Sequence, residues 1–373
     1  MAEENLRIGI TGAITPPMDT LIKNAQRNEA QGYDSIWWPD HLMGWTPQSI
    51  WTPDIGEIAS RQKSSDIFFD CVGAIAAAAM ATQRMRLGTS VTEAVRRHPA
   101  MLAQSFLTLD HIAKGRVILG IGAGEAENII PYGLDFSKPA SRLEEAIKII
   151  RLLWESDGPV DYEGKFWRLD RAVLGLEPYE GKVPPIWVAA HGPRMLDIAG
   201  RLADGWLPTR MSVEEYGEKL NTIKRVGAAH GRDMSQFTPS MYTYLVIDED
   251  HEVCHKLLDT PIIKSYCMIP PPEIFAKCGA EHPLGKTYGL LDYIPSHFSR
   301  EAALEAIGKI PRKVSEYFIM HGTPDDVVKE LKEFAKVGLQ HVVLENITFL
   351  GDLSKVRSSY ACMSEVVKQV TVA

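Results

Sequence analysis

Short apolar runs alternate with helix-like segments along the whole chain, and this alternation constrains the fold more than any other feature. Eight runs are rich in Val, Ile, Leu and Trp, and most precede a segment whose apolar residues recur at helical spacing. Continuous apolar runs are typical of strands buried on both faces of a parallel sheet. The pattern therefore predicts an α/β fold, a single (β/α)8 TIM barrel. The predicted strands are Leu6–Ile10, Ser35–Trp38, Arg86–Val91, Val117–Ile121, Ile186–Ala190, Gly205–Pro208, Ser240–Ile247 and His341–Asn346.

Three segments outside these units are predicted as insertions after strands 2, 4 and 7. Residues 43–65 are rich in Trp and Pro, and residues 260–299 are Pro-rich, and neither segment is periodic. Val160–Leu169 alternates around a glycine turn, which predicts a small hairpin. Barrels of 373 residues are ordinary, so residues 1–373 are expected to form one domain.

The composition of the chain limits the classes of molecule that it is expected to bind. A net charge of −8 without a long basic run argues against nucleic acid and anionic membranes, so we expect a small-molecule substrate. The five cysteines are scattered and include no CxxC, which predicts reduced thiols in the cytoplasm and no metal site. The opening MAEENLRIGI lacks the basic and apolar regions of a secretory leader, and no apolar run is long enough to span a bilayer.

Polar residues follow the predicted strands, at the end where a barrel forms its active site. An imidazole titrates near neutrality in general, so the side chain of His41 is a candidate to donate or accept a proton. A lone histidine is more often structural, but Asp40 before it and Trp45 after it favour catalysis. The other candidates at strand ends are Ser90, Glu93, Glu125, Asn128, His191, Gly192, Arg194, Thr209 and Arg210.

Two backbone features accompany these side chains. Gly120, Gly122 and Gly124 let backbone approach a ligand closely, although their spacing differs from the dinucleotide GxGxxG. The segment His191–Arg194 opens a helix, whose free N–H groups and arginine suit an anion. An ordinary strand-to-helix turn and an ordinary helix cap are the alternative interpretations.

Longer stretches resemble the luciferase-like superfamily, in the branch that uses the deazaflavin coenzyme F420. They are PDHLMGW (Pro39–Trp45), LGTSV (Leu87–Val91), LGIGAGEAEN (Leu119–Asn128), WVAAHGPRMLDIAGRLADGW (Trp187–Trp206), GTPDDV (Gly322–Val327) and GLQHVVL (Gly338–Leu344). Within the branch the chain is most similar to the phthiodiolone ketoreductases. The shared features are Val91-Thr92-Glu93, Arg96-Arg97, AAHGPRML and EHPLG leading to DYIP.

The chain also resembles the F420-dependent glucose-6-phosphate dehydrogenases, but less completely. Their phosphate-binding lysine after strand 6 falls on Ser212, and their acidic residue after strand 1 falls on or near Thr15. The resemblance therefore disfavours a sugar phosphate as substrate.

The resemblance also implies roles for single residues. His41 is the proton donor or acceptor, Glu125 is a second acid or base, and Trp45 and Thr209 contact the substrate. Ser90–Val91 is expected to be a non-prolyl cis peptide behind the cofactor ring. The implied cofactor contacts are Asp40, Ser90, Val91, Glu93, Ala123, Gly124, Asn128, His191, Gly192, Arg194 and Met195.

The implied reaction is hydride transfer between F420 and a carbonyl or alcohol carbon, in a homodimer. The apolar, Trp-rich stretch Trp37–Trp51 suggests a bulky or hydrophobic substrate. The alternatives are an FMN-dependent luciferase-like monooxygenase, an F420-dependent methylenetetrahydromethanopterin reductase, and a barrel that binds a flavin or fatty ligand without turnover.

Overall fold

The computed structural model describes residues 6–371. The expectation that the chain carries no leader rests partly on residues 1–5, which lie outside the described range. The strands are β1 (Arg7–Thr11), β2 (Ser35–Trp38), β3 (Arg86–Thr89), β4 (Val117–Ile121), β5 (Val160–Glu163), β6 (Arg168–Ala172), β7 (Ile186–Val188), β8 (Gly205–Trp206), β9 (Thr238–Ile247), β10 (Met320–Gly322) and β11 (His341–Asn346). The helices are α1 (Met18–Ala30), α2 (Cys71–Ala81), α3 (Pro99–Ala113), α4 (Pro139–Glu155), α5 (Pro193–Leu202), α6 (Val213–Ala229), α7 (His251–Leu258), α8 (Pro261–Ser265), α9 (Pro272–Lys277), α10 (Arg300–Gly308), α11 (Arg312–Phe318), α12 (Pro324–Lys336), α13 (Thr348–Gly351) and α14 (Val356–Thr371).

Eight parallel strands close into a barrel, which confirms the predicted fold. Their order is β1-β2-β3-β4-β7-β8-β9-β11, and β11 returns to β1. The long strand β9 closes the barrel because it pairs with β8 at its start and with β11 along its middle. The predicted hairpin is the antiparallel pair β5–β6. The sequence analysis missed β10, a three-residue strand that pairs with the end of β9.

Aromatic side chains fill the inside of the barrel. The indoles of Trp37 and Trp187 lie 5.2 Å apart between ring centroids, and both are buried. Glycines on neighbouring strands make room for them: a Cβ on Gly88 would lie 2.4 Å from the Trp37 ring, and a Cβ on Gly120 would lie 1.8 Å from the carbonyl oxygen of Thr89. The glycine inside the fourth apolar run is therefore explained by close packing.

The two long insertions pack against each other beside the barrel. The hydroxyls of Thr46 and Ser265 lie 2.8 Å apart, and Tyr293 donates to the carbonyl oxygen of Trp45 at 3.0 Å. The side chains of Thr46 and Ser265 are both buried. Residues 260–299 include α8 and α9, so this insertion is more regular than the sequence suggested.

Within the described residues, no helix is long and apolar enough to cross a membrane. All five cysteines are free thiols, and four of them are buried.

Candidate active site

His41 lies directly beyond β2 and is held by its surroundings on three sides. Its Nδ1 lies 3.0 Å from the carbonyl oxygen of Met43, while the ring of Phe68 stacks on it and Trp45 meets it edge-on at 4.6 Å between centroids. Asn128 Nδ2 also lies 3.0 Å from Nδ1, so protein groups engage Nδ1 in either tautomer and Nε2 is the nitrogen left to exchange a proton.

Glu125 faces that nitrogen from the end of β4. Its Oε2 lies 3.5 Å from His41 Nε2, and the two side chains expose 24% and 7% of their surfaces. Asn128 joins the two strand ends, because its Oδ1 accepts from the backbone N–H of Leu42 at 2.7 Å and of Met43 at 3.0 Å. The structure thus brings together His41, Glu125 and Asn128, as the sequence analysis predicted.

Glu127 is a further carboxyl group here, and the sequence analysis missed it. It is fully buried, and its Oε1 accepts from Asn128 Nδ2 at 3.0 Å. Burial, together with the charge and hydrogen bond of Glu125, holds the pKa of Glu127 well above its usual range. Its surroundings therefore favour the protonated form of Glu127. We call His41, Glu125 and Glu127 the proton cluster.

Asp40 takes part in a buried ionic network. Its Oδ2 accepts from the hydroxyl of Thr92 at 2.6 Å and from Arg97 Nε at 3.1 Å, and Arg96 lies 3.4 Å away. Burial alone would raise the pKa of Asp40, but these partners outweigh it and lower the pKa. Glu93 is also buried and accepts from Arg96 Nε at 2.7 Å. Both carboxylates therefore pair with arginines. The adjacent Arg96 and Arg97 were the feature of the sequence that could have indicated this pairing.

The backbone beside β3 and β4 forms a close-packed wall. The Ser90–Val91 peptide is cis, as the resemblance implies. A Cβ on Gly122 would lie 2.8 Å from Val91 Cγ2, so only glycine allows this contact. Gly124 adopts a φ of +91°, a conformation that side chains rarely adopt.

The predicted anion site lies at the start of α5. Gly192 precedes the helix, and no side chain caps its first N–H groups. His191 Nε2 accepts from the backbone N–H of Thr209 at 3.2 Å, which brings two predicted residues together. Arg194 is exposed and donates to the hydroxyl of Ser141 at 2.7 Å, and Met195 follows it, half-buried.

One candidate at a strand end is engaged elsewhere. Arg210 donates through Nε and a terminal nitrogen to Glu330 on α12, at 2.9 Å and 2.6 Å. Its ion pair explains the position of Arg210 without a ligand.

Tyrosines and one acid line the strands opposite the proton cluster. Tyr242 donates its hydroxyl to Glu345, and burial raises the pKa of Glu345 to about 7. Burial also raises the pKa of Tyr244, and the negative charge of Glu345 adds to the effect. The sequence analysis missed these residues because they lie inside apolar runs.

Comparison with known proteins gives a consistent result. A family model of luciferase-like monooxygenases matches residues 6–341. The phthiodiolone/phenolphthiodiolone dimycocerosates ketoreductase of Mycobacterium sp. (strain JLS) is 35% identical over 354 residues, which cover 92% of this chain and 93% of that protein. The F420-dependent glucose-6-phosphate dehydrogenase of Nakamurella multipartita is 30% identical, over 84% of this chain and 83% of its own.

Solved structures share the fold. An F420-dependent secondary alcohol dehydrogenase, solved with an F420–acetone adduct, has a TM-score of 0.74 at 22% identity and covers 97% of this chain and 99% of its own. The coenzyme F420-dependent tetrahydromethanopterin reductase of Methanopyrus kandleri has a TM-score of 0.71 at 22% identity and covers 93% of this chain and 98% of its own. At this identity the likeness shows the barrel fold.

Proposed function

Because the chain belongs to the luciferase-like monooxygenase family, we propose that it is an F420-dependent oxidoreductase that transfers a hydride between F420 and a carbonyl or alcohol carbon. The observation that carries the proposal is the proton cluster, in which His41 Nε2 lies 3.5 Å from Glu125. Hydride transfer to a ketone requires one proton besides the hydride, and this cluster can provide it. Two relatives of at least 30% identity, a ketoreductase and an F420-dependent dehydrogenase, support the same chemistry.

The residues at the strand ends fit the coenzyme. Ser90 Oγ is buried and has no hydrogen-bond partner among the described residues, so a polar atom of a bound ring would satisfy it. The uncapped start of α5 offers N–H groups to the phosphate-bearing tail. We retain as proposed contacts the residues that the resemblance implies.

The chain's own residues supply the proton. Reduced F420 provides a hydride when bound. His41 Nε2 protonates the carbonyl oxygen as negative charge develops there, and Glu125 stabilises the charged imidazole. Glu127, whose pKa is held well above its usual range, lies beside Glu125 and His41, so it can replace the proton that His41 gives up. In alcohol oxidation the same residues accept the proton in reverse order.

The edge of the cleft favours a bulky, apolar substrate. Three exposed apolar side chains lie close in sequence to residues of the site. Leu42 follows His41 and exposes 47% of its surface, while Ile130 and Tyr132 lie within four residues of Asn128 and expose 44% and 46%. Exposed apolar side chains beside a polar site are typical of a binding surface. Ser212, which stands where the sugar-phosphate enzymes have a lysine, accepts from the backbone N–H of Glu215 at 3.2 Å and caps α6.

Cofactor binding is the first test. The protein, freed of bound ligands, is titrated with F420 and separately with FMN while tryptophan fluorescence is followed. We expect F420 to bind at micromolar concentration or below and FMN to bind far more weakly. Turnover is then assayed with reduced F420 and a series of ketones of increasing chain length. Preference for FMN would refute the proposal and favour the monooxygenase alternative.

We also propose that the protein is a cytoplasmic homodimer. The neighbouring helices α2 and α3 each expose a methionine, 74% of Met80 near the end of α2 and 57% of Met101 near the start of α3, and a second copy would cover this apolar surface. Five free thiols suit a reducing compartment. Light scattering should give twice the chain mass of 41.5 kDa, and the monomer mass would refute the dimer.

A further inference from the structure

A second histidine cluster lies outside the proton cluster. The sequence HEVCH, from His251 to His255, has the H-E-x-x-H spacing that places two imidazoles on one face of a helix. The sequence analysis passed over this signal and expected no metal site. In the structure both histidines lie on α7, and β10 brings His321 against them. We call these three residues the histidine triad.

The distances within the histidine triad suit a metal ion. One ring nitrogen of each histidine lies within 4.8 Å of the others, and the Nε2 atoms of His251 and His255 are 3.1 Å apart. A zinc ion bound to imidazole nitrogens at about 2.0–2.1 Å places neighbouring ligand atoms about 3.3–3.4 Å apart in a tetrahedron. The present spacing therefore needs only small side-chain movements to bind such an ion.

Hydrogen bonds at the opposite ring nitrogens orient the imidazoles. Nδ1 of His251 lies 2.9 Å from Asp326 Oδ2, and Nδ1 of His321 lies 3.2 Å from the carbonyl oxygen of Ile319. Both partners are acceptors, so each Nδ1 carries the hydrogen and each Nε2 presents a lone pair. This arrangement, in which an outer acceptor fixes a ligating histidine, is usual at zinc sites.

Carboxylates surround the third imidazole as well. Nδ1 of His255 lies 3.8 Å from Glu252 Oε1, and its Nε2 lies 3.7 Å from Glu316 Oε1. These acids offset the charge of a divalent cation without occupying the space between the three rings. A hydrogen bond between two neutral histidines would explain the contact between His251 and His255. It would not explain why the ring of His321 lies beside both of them.

We propose that the histidine triad binds one divalent transition-metal ion, with Zn²⁺ as the best match to three imidazole ligands. The ion would join α7 to β10. These two elements flank the chain segment that contains the insertion 260–299, whose Tyr293 contacts Trp45 beside His41. Metal binding would therefore fasten this insertion to the barrel and stabilise the folded chain.

The experiment uses the full chain without a polyhistidine tag, treated with a chelator and then dialysed. Zn²⁺ alone is titrated by calorimetry, bound zinc is counted after gel filtration, and the melting temperature is measured with and without zinc. We expect one zinc per chain and a melting temperature raised by several degrees, because an ion that binds only the folded state stabilises it. The cobalt-loaded protein should show the visible absorption of tetrahedral coordination.

Variants locate the site. His321→Gln and His255→Gln should each weaken zinc binding by at least about 100-fold, because each removes one of three ligands. His230→Ala is the matched control, since His230 is an exposed histidine whose ring contacts only the carbonyl oxygen of Val226 among the contacts that the structure describes, and it should leave zinc binding unchanged. Circular dichroism confirms that each variant is folded. Two results would overturn the proposal. One is the absence of zinc binding in the wild type, and the other is zinc binding in the glutamine variants as strong as in the wild type.

Discussion

The proton cluster and the histidine triad use the same chemical groups in different proportions. In the proton cluster one imidazole meets two carboxyl groups, whereas in the histidine triad three imidazoles meet one another. The carboxyl groups also occupy different places. Those of the proton cluster lie on the exchanging side of His41, and those around the histidine triad lie outside the rings or at its edge.

This difference in position changes the state of the acids. Burial beside Glu125 holds the pKa of Glu127 well above its usual range, which favours the protonated form of this acid. The hydrogen bond from His251 lowers the pKa of Asp326 to about 2, so that acid stays ionised. An acid that lies within a cluster beside another acid has a raised pKa and favours its protonated form. An acid that lies outside the imidazole rings stays ionised, accepts a hydrogen bond and orients the imidazole lone pair. The comparison thus separates a site for proton transfer from a site for a cation.

The largest expected effect comes from His41→Ala. Loss of the only imidazole in the proton cluster should lower kcat for ketone reduction about 10³-fold, because it removes the general acid. Steady-state assays with reduced F420 measure the loss, and fluorescence titration should show that F420 still binds. His230→Ala serves as the control for removal of a histidine elsewhere. A variant that retains most of its turnover would place the proton donor at another residue.

Glu345 tests what burial does to an acid that belongs to neither cluster. Its pKa is raised from 4.5 in the unfolded chain to about 7 in the folded protein, because of burial. Between these values the folded state binds more protons than the unfolded state, so stability falls as the pH rises through this window and stays reduced above it. The loss should amount to about 3 kcal/mol.

The variant Glu345→Gln cannot ionise and should lack this loss. Urea unfolding at pH 5 and pH 8 gives the free energy of unfolding for both proteins. We expect the drop between the two pH values to be smaller in the variant by about 3 kcal/mol. Equal drops in both proteins would mean that Glu345 titrates at an ordinary pKa.

Asp326→Asn weakens the outer contact of the histidine triad while keeping its shape. An amide can accept from His251 Nδ1 but carries no charge, so zinc affinity should fall about 10–100-fold, as is usual for such outer partners. Calorimetric titration with Zn²⁺ measures the change. Because Asp326 also caps α12, the unfolding free energy without zinc is measured alongside. Unchanged zinc affinity would show that the carboxylate does not orient His251.

Glu127→Gln gives the smallest expected effect, in the proton cluster. Glutamine can keep the hydrogen bond from Asn128 but cannot release a proton, so kcat should fall about tenfold. The loss should grow as the pH rises, because solvent protons become scarce. The profile of kcat between pH 6 and pH 9, compared with that of the wild type, reveals this trend. A uniform loss at every pH would assign Glu127 a purely structural role.

The sequence was sufficient to predict the barrel and part of the site. The predicted strands Ser35–Trp38 and His341–Asn346 agree with β2 and β11 at both ends, and every predicted barrel strand is present. Once the strands are placed in a parallel barrel, their C-terminal ends must meet at one end. His41 and Glu125 could therefore be predicted to meet although their separation along the chain is large.

The remainder of the site could not be predicted in this way. Tyr242 and Glu345 lie within runs that also predict plain buried strands, so their pairing appears only when β9 and β11 lie side by side. The HEVCH spacing was visible in the sequence, but its third histidine lies on β10, which is too short to show a periodic pattern.

The sequence by itself determined the order of strands and helices, the barrel that they form and the strand ends that carry polar residues. These properties depend on the period of apolar residues within a few positions, which any stretch of sequence displays. The tertiary structure alone decided that the pKa of Glu127 is raised, that Glu345 titrates near neutrality and that three histidines converge. Desolvation and partner geometry depend on residues that folding brings together from distant positions, and local pattern contains no record of them.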